Sequence, residues 1–389
     1  MIKKQKICII GAGATGLITA LTLSKLNLDI DLVMGNTKNN FKSIRTIAIS
    51  EANYNFIKKL KIFNFSEREF WPCSEMKLYS QSKNSKFSKI FELKENETKK
   101  KKILYMFKNS TLIKNMTKKV KQTKSISIIN DEVVSKIYSQ KLLQKVKFKK
   151  KSNKYNLVII CTGNNSELVK KFFNDKPLQH SYEETSITTI VDHQKFSNNA
   201  ARQIFLENGI LALLPISNSK TSIVWSIKKK LYTKNENIIR NKIKFYTKDY
   251  LKNLKFKTKI EFKDLNFLIR KKYHKERALL FGDTLHSVHP LVGQGFNMTL
   301  RDLSILKKIL TNRLNVGLDI GSEDILSEFS YRTKPRNFAY SMGIDLIKNS
   351  FSINNSYLIN IRNNIVKNLS KNNFIKNSFF EIANKGFKF

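Results

Sequence analysis

Apolar positions along this chain change their spacing several times, and each change predicts a different kind of element. Lys6-Ile7-Cys8-Ile9-Ile10 is a short apolar run, the sign of a strand buried in a parallel sheet. Leu17 to Leu26 has helical spacing, and Asp29 to Met34 alternates as a second strand. Met76 to Tyr79 and Lys89 to Glu92 also alternate, Asn109 to Met116 reads as a helix, and Ser125 to Ile129 and Lys145 to Phe148 return to strand. From Thr185 to Ile227 the chain is nearly all strand and turn. Thr185 to Val191 is rich in β-branched residues, and Ser217-Asn218-Ser219-Lys220 separates two strands as a hairpin requires. Helical patterns follow over Glu236 to Asn253. Ala278 to Phe281 is an apolar strand, and Met298 to Leu310 is amphipathic. Beyond Asp324 the pattern is helical again, over Ile325 to Arg332, Pro335 to Phe351 and Ile353 to Phe389.

Two glycine-rich turns sit where strands give way to helices. Gly11-Ala12-Gly13-Ala14-Thr15-Gly16 follows the first strand directly, which is the dinucleotide fingerprint in its required setting. Gly11 would permit the tight turn, Gly13 the approach of a pyrophosphate, and Gly16 close packing of helix on strand. The second turn runs from Gly282-Asp283 through His289-Pro290 to Gly293-Gln294-Gly295-Phe296-Asn297. Its aspartate can accept hydrogen bonds from a polyol such as a ribityl chain. Its glycines let backbone N–H groups approach a flat or anionic ligand, beside a helix N-terminus that favours negative charge.

The second turn, with Arg301-Asp302 after it, resembles the second flavin motif of the aromatic-ring hydroxylases, in the form found in their ubiquinone-biosynthesis branch. Arg45-Thr46-Ile47-Ala48-Ile49-Ser50, Leu157 to Ser166, the Asn109 helix, Gly209 to Pro215 and Ser222 to Trp225 resemble further segments of that family. The likeness covers nearly the whole chain. It implies an α/β protein with a Rossmann-like FAD-binding domain, an interleaved β-sheet substrate domain and a C-terminal helical segment. The corresponding division is 1–72, 98–178 and 262–330 for FAD, 73–97 and 179–261 for substrate, and 331–389 for the helices.

The same resemblance implies a p-hydroxybenzoate hydroxylase-like FAD-dependent monooxygenase, hydroxylating a polyprenylated phenol with O2 in ubiquinone biosynthesis. Its expected cofactor contacts are Gly11, Gly13, Gly16, Arg45, Asp283, Pro290, Gly293, Gln294, Gly295 and Asn297. The flavin carries the chemistry, so only His289 and Pro290 stand out as candidate catalytic residues beside the ring, and no base is evident. Two positions depart from the family. Met34 stands where an acid should bind the adenosine ribose, roughly 20 residues beyond the glycines, and Thr162 replaces an aspartate. No second nucleotide fingerprint is present, so the electron donor would be transiently bound NAD(P)H, or a reductase or ferredoxin. A flavin oxidoreductase of similar fold acting on another lipid-like or aromatic substrate, and a non-catalytic basic membrane-associated scaffold, are the rival readings.

Composition changes this picture in one respect. The 389 residues carry 72 Lys+Arg against 30 Asp+Glu, a net charge of +42. Such charge suits an anionic membrane surface or nucleic acid. Yet the lysines are scattered, clusters such as Lys99 to Lys102, Lys149 to Lys151 and Lys228 to Lys230 fall at predicted turns, and no nucleic-acid motif accompanies them. Coding bias and a membrane surface are therefore preferred to nucleic acid, and a ubiquinone-biosynthesis complex is a further expected partner. The tail from Leu358 to Phe380 mixes apolar and basic residues, as a helix docked on protein or lying on a membrane would. No run reaches the roughly 18 apolar residues of a membrane span, and the first strand begins too early to leave room for a signal peptide. Cys8, Cys73 and Cys161 are far apart and the five histidines offer no ligand set, so no metal site is expected. The expected location is cytoplasmic, peripheral on the inner face of the cytoplasmic membrane.

Overall fold

The computed structural model describes residues 4–35, 43–62, 69–81, 87–94, 102–130, 132–140, 142–149, 151–164, 166–231, 233–353 and 355–387, without the side chains of Val292 and Ser356. Lys99 to Lys101 and Lys150 of the basic clusters, and Asn165 of the third motif, lie outside them.

The first strand, Gln5–Ile10, is the centre of a six-stranded sheet. It pairs in parallel with Leu28–Met34 on one side and Leu157–Ile160 on the other. Ile126–Asn130 extends the sheet beyond Leu28–Met34, and Ala278–Leu280 extends it beyond Leu157–Ile160. Leu157 to Ile160 are wholly buried, as expected of a strand covered on both faces. The helices Ala14–Leu23, Asn109–Lys121 and Gln294–Asn315 pack around this sheet and share its hydrophobic core.

A second sheet, of nine strands, lies over the open end of the first. Its spine is Leu178–Asp192, which pairs antiparallel with Lys220–Lys228 and with Glu261–Ile269. The expected hairpin forms between Gly209–Ser217 and Lys220–Lys228. Glu75–Gln81 and Phe87–Lys94 complete the far edge, so two separated segments build one sheet. Trp225 is fully buried in the core between this sheet and the helix Glu236–Thr247.

Two boundaries differ from the sequence reading. Phe262 does not begin the return to the parallel sheet, because the whole strand Glu261–Ile269 hydrogen-bonds to the antiparallel spine. The crossing back comes at His274–Lys275, which pairs with Ala278–Leu280. The expected break at Pro335 is also absent. Glu323–Phe351 is one helix of 29 residues with the proline inside it. Proline removes one N–H, whose acceptor would be the carbonyl of Tyr331; that residue is 83% exposed, so water can serve there. Two further helices, Ser356–Lys371 and Asn373–Lys385, each start on an asparagine whose side chain caps two backbone N–H groups.

Candidate active site

Between the parallel sheet and the antiparallel roof lies a cavity of about 770 Å³. Its floor is the glycine loop after the first strand, Arg45 to Ala48, and Cys161 to Gly163. Its far wall is Asp283 with His286 to Val288, Pro290, Gly293 and Gly295, and its roof includes Met76, Ala201, Ala212, Leu214 and Val224. Segments distant in sequence therefore meet at the carboxyl ends of the parallel strands, where ligands of open α/β sheets bind.

The glycine turns divide into two kinds. A side chain at Gly11 or Gly16 would strike backbone: its Cβ would lie 2.5 Å from the Cys161 carbonyl in the first case and 1.7 Å from the Gly11 carbonyl in the second. These two allow the chain to fold back on itself, Gly11 with φ +109°. Gly13, Gly163 and Gly295 instead face open space, with nothing within 4 Å of a notional Cβ. They form a bare cradle in which a flat or phosphorylated ligand can approach backbone N–H groups.

Asp283 is presented on a single helical turn, Gly282–Thr284, and opens to the cavity. That turn is held firmly. Thr284 Oγ1 accepts from the Gly163 backbone N–H at 2.9 Å, and Arg270 Nε donates to the Thr284 carbonyl at 2.9 Å. Arg270 is itself paired with Asp175 at 2.8 Å, both buried. Behind the wall His286 Nε2 lies 3.1 Å from Asp302, which also accepts from Asn337.

Four expected contact residues take other positions. Gly16 packs against the loop and does not line the cavity. Gln294 turns inward, where its Oε1 accepts from Tyr340 Oη at 2.7 Å. Asn297 is fully buried, accepts from the Ser50 N–H at 2.9 Å and donates to the Ala48 carbonyl at 2.8 Å. His289 is buried with its Nε2 3.0 Å from Glu184, whose other oxygen meets Lys348 Nζ at 3.1 Å. These side chains fasten the loop, and the cavity wall comes from the residues between them. Burial would push the Glu184 carboxyl up, but His289 and Lys348 outweigh it and hold it below its usual range. Gly11, Gly13, Arg45, Asp283, Pro290, Gly293 and Gly295 do line the cavity, as does Thr162.

The end of the second strand, where a ribose-binding acid is expected, holds no free carboxylate among the described residues. Met34 is 8% exposed, and the cavity is lined by its neighbours Val33 and Gly35. Asp31 is buried and committed to Tyr155 Oη at 2.7 Å and Lys6 at 2.8 Å, and Asp29 is exposed.

Lys263 is the main residue that sequence reasoning missed. It sits on the roof strand Glu261–Ile269 opposite Ser186, and both residues reach the cavity. Loss of water around it and the nearby Arg45 hold its ammonium below the usual lysine range, against the pull of Asp283. One lysine among 72 basic residues carries no signal in the sequence. Taken together the site fits FAD: a bare glycine cradle, an exposed aspartate, two cations and an apolar roof surround one cavity. Among the described residues no group of metal-ligating side chains is present.

Comparison with known proteins agrees with this geometry. A family model described as squalene epoxidase matches residues 154–379, more than half of the chain. The ubiquinone biosynthesis monooxygenase COQ6 of Dictyostelium discoideum is 22% identical, over 92% of this chain and 86% of that protein. The COQ6 of Danio rerio is 26% identical, but the match covers 53% of this chain and only half of the relative's length. The ubiquinone hydroxylase UbiM of Neisseria meningitidis is 20% identical over 83% of this chain and 72% of its own. Among solved structures, p-nitrophenol 4-monooxygenase PnpA of Pseudomonas putida superposes with a TM-score of 0.79 at 13% identity, over the full length of both chains. HpxO of Klebsiella pneumoniae, solved with FAD and uric acid, gives 0.77 at 14% identity, over 98% of this chain and 97% of its own. With its interleaved sheets meeting over a glycine cradle, this chain belongs to the squalene epoxidase family of FAD-dependent monooxygenases.

Proposed function

We propose that the chain is an FAD-dependent hydroxylase that adds one atom of O2 to the ring of a polyprenylated phenol in ubiquinone biosynthesis. The observation that carries this reading is the cavity in which the cradle and Asp283 face an apolar roof. When bound, reduced FAD supplies the activation of oxygen. The chain's own residues then have four tasks. Gly13 and Gly295 expose backbone to the cofactor, and Asp283 accepts hydrogen bonds from its ribityl hydroxyls. Met76, Ala212, Leu214 and Val224 hold an aromatic ring and exclude water. Arg45 and Lys263 place positive charge in the cavity, which favours the anionic form of a phenol bound there. The names of the ubiquinone-biosynthesis relatives support a phenolic substrate, and the squalene epoxidase family match makes an olefin the alternative. NAD(P)H or a separate reductase or ferredoxin would return electrons.

Association with a membrane surface belongs to the same proposal, because a polyprenylated substrate stays in the bilayer. Among the described residues no helix is long and apolar enough to cross a membrane. The C-terminal helices nonetheless expose Tyr357, Leu358, Ile365 and Phe374 beside lysines.

Turnover of a short-chain prenylphenol under ¹⁸O2 tests the reaction. The expected product carries one ¹⁸O on the ring. A reduced product without label would assign the chain to the flavin oxidoreductases, and an epoxide bearing the label would assign the olefin reaction.

A further inference from the structure

We infer that Glu132 binds the ribose hydroxyls in the adenosine half of FAD, a role for which the second strand has no acid. The inference rests on the FAD reading above. The second strand pairs in parallel with Ile126–Asn130, from Ile30↔Ile126 to Met34↔Asn130. The two strands end side by side at Met34 and Asn130, with Gly35 one residue past the first and Glu132 two residues past the second. Gly35 and Glu132 both line the cavity there.

Among the described residues, the other carboxylates on the second strand or lining the cavity are committed or elsewhere. Asp31 is held by Tyr155 and Lys6. Asp264 accepts from Thr185 at 2.9 Å and meets Lys229 at 3.0 Å. Asp283 follows a different strand, on the far wall. Of this set, only Glu132 and Asp283 have no hydrogen-bond or ion-pair partner among the described residues, and of these two only Glu132 stands beside the end of the second strand. In a chain with 72 basic and 30 acidic residues, a carboxylate left unpaired at the cavity's edge is conspicuous.

The chemistry suits the place. A ribose presents two vicinal hydroxyl donors, and a carboxylate is an acceptor-only group that can take both. The longer reach of glutamate serves where the strand end offers only Met34, buried, and Gly35, without a side chain. Hydrogen bonds to a charged acceptor are among the stronger ones, so the contribution to binding is substantial.

Flavin-fluorescence titration of the full chain, freed of flavin, tests this with two ligands. FMN retains the isoalloxazine and ribityl phosphate and lacks the adenosine. Glu132→Gln should raise the Kd for FAD by about tenfold or more and leave that for FMN unchanged, with a thermal melt like that of the wild type. Wild-type FAD affinity in Glu132→Gln, or an equal loss for both flavins, would overturn the assignment of Glu132. A wild-type protein that binds neither flavin would overturn the FAD reading itself.

Discussion

At the scale of single residues, the site depends on a few side chains held by others. Asp283 owes its direction to a turn that Thr284, Gly163 and Arg270 fasten. Replacing it with alanine should strand ribityl hydroxyls and cost about 1–3 kcal/mol of FAD affinity. A fluorescence titration would then show a Kd raised by at least several-fold, and an unchanged Kd would remove Asp283 from the cofactor site. Glu184 yields a pH prediction. Its carboxyl is held below the ordinary value, so its stabilising contribution is present above that value and fades as pH falls through the depressed one. Lys348→Met removes one partner of a pair that is 10% and 3% exposed, and should cost about 3–5 kcal/mol at neutral pH. Urea unfolding should show this gap narrowing in acid, because protonated Glu184 no longer attracts Lys348 in the wild type either. A gap independent of pH would mean that packing of the lysine stem, not charge, sets the loss.

At the scale of elements, the helix Gln294–Asn315 shows how a motif can be legible while its side chains are misread. The glycines and the Gly-Asp pair mark a ligand-side loop, yet Gln294 and Asn297 point into protein. Asn297 links the helix to the strand Thr46–Ser50 and to Asn53, through both its oxygen and its nitrogen. Asn297→Ala would leave the buried Ser50 N–H and Ala48 carbonyl without partners. The expected destabilisation is at least about 1–3 kcal/mol, read from urea denaturation of the full chain. A leucine variant as stable as the wild type would mean that packing, not the hydrogen bonds, holds the helix to the strand. The persistence of helix through Pro335 makes a similar point. Local propensity predicts a break, and burial of Leu326, Phe329, Tyr340 and Ile344 on both sides of it keeps one element.

At the scale of the whole molecule, the tail is both core and surface. Val366 and Phe380 pack beside the roof sheet, Arg362 reaches Ser80 at 3.0 Å, and Asn384 accepts from the Ala52 N–H at 2.8 Å. Deleting the tail would therefore open the core, so surface substitutions are the better probe of membrane contact. Flotation should show binding to anionic liposomes that weakens with salt, since each lysine near the surface contributes about 1 kcal/mol and is screened within a Debye length. Replacing Leu358, Ile365 and Phe374, which are 45%, 53% and 79% exposed, with serine should abolish the salt-resistant part. No binding at low salt would leave the +42 charge as a property of composition alone.

Sequence by itself determined the class of fold, the two glycine turns, the apolar strands that precede them and the hairpin of the roof. These are local patterns, in which spacing and glycine placement constrain the backbone directly. Tertiary structure alone decided which side chains face the ligand. Gln294 and Asn297 turn inward because Tyr340 and the Ser50 N–H, distant in sequence, lie beside them. Lys263 and Glu132 become site residues only because a roof strand and a parallel strand end at the same cavity. Glu261–Ile269 joins the roof because its partner is the distant strand Leu178–Asp192. Pairing across such separations is set by the packing of whole sheets, and no local pattern records it.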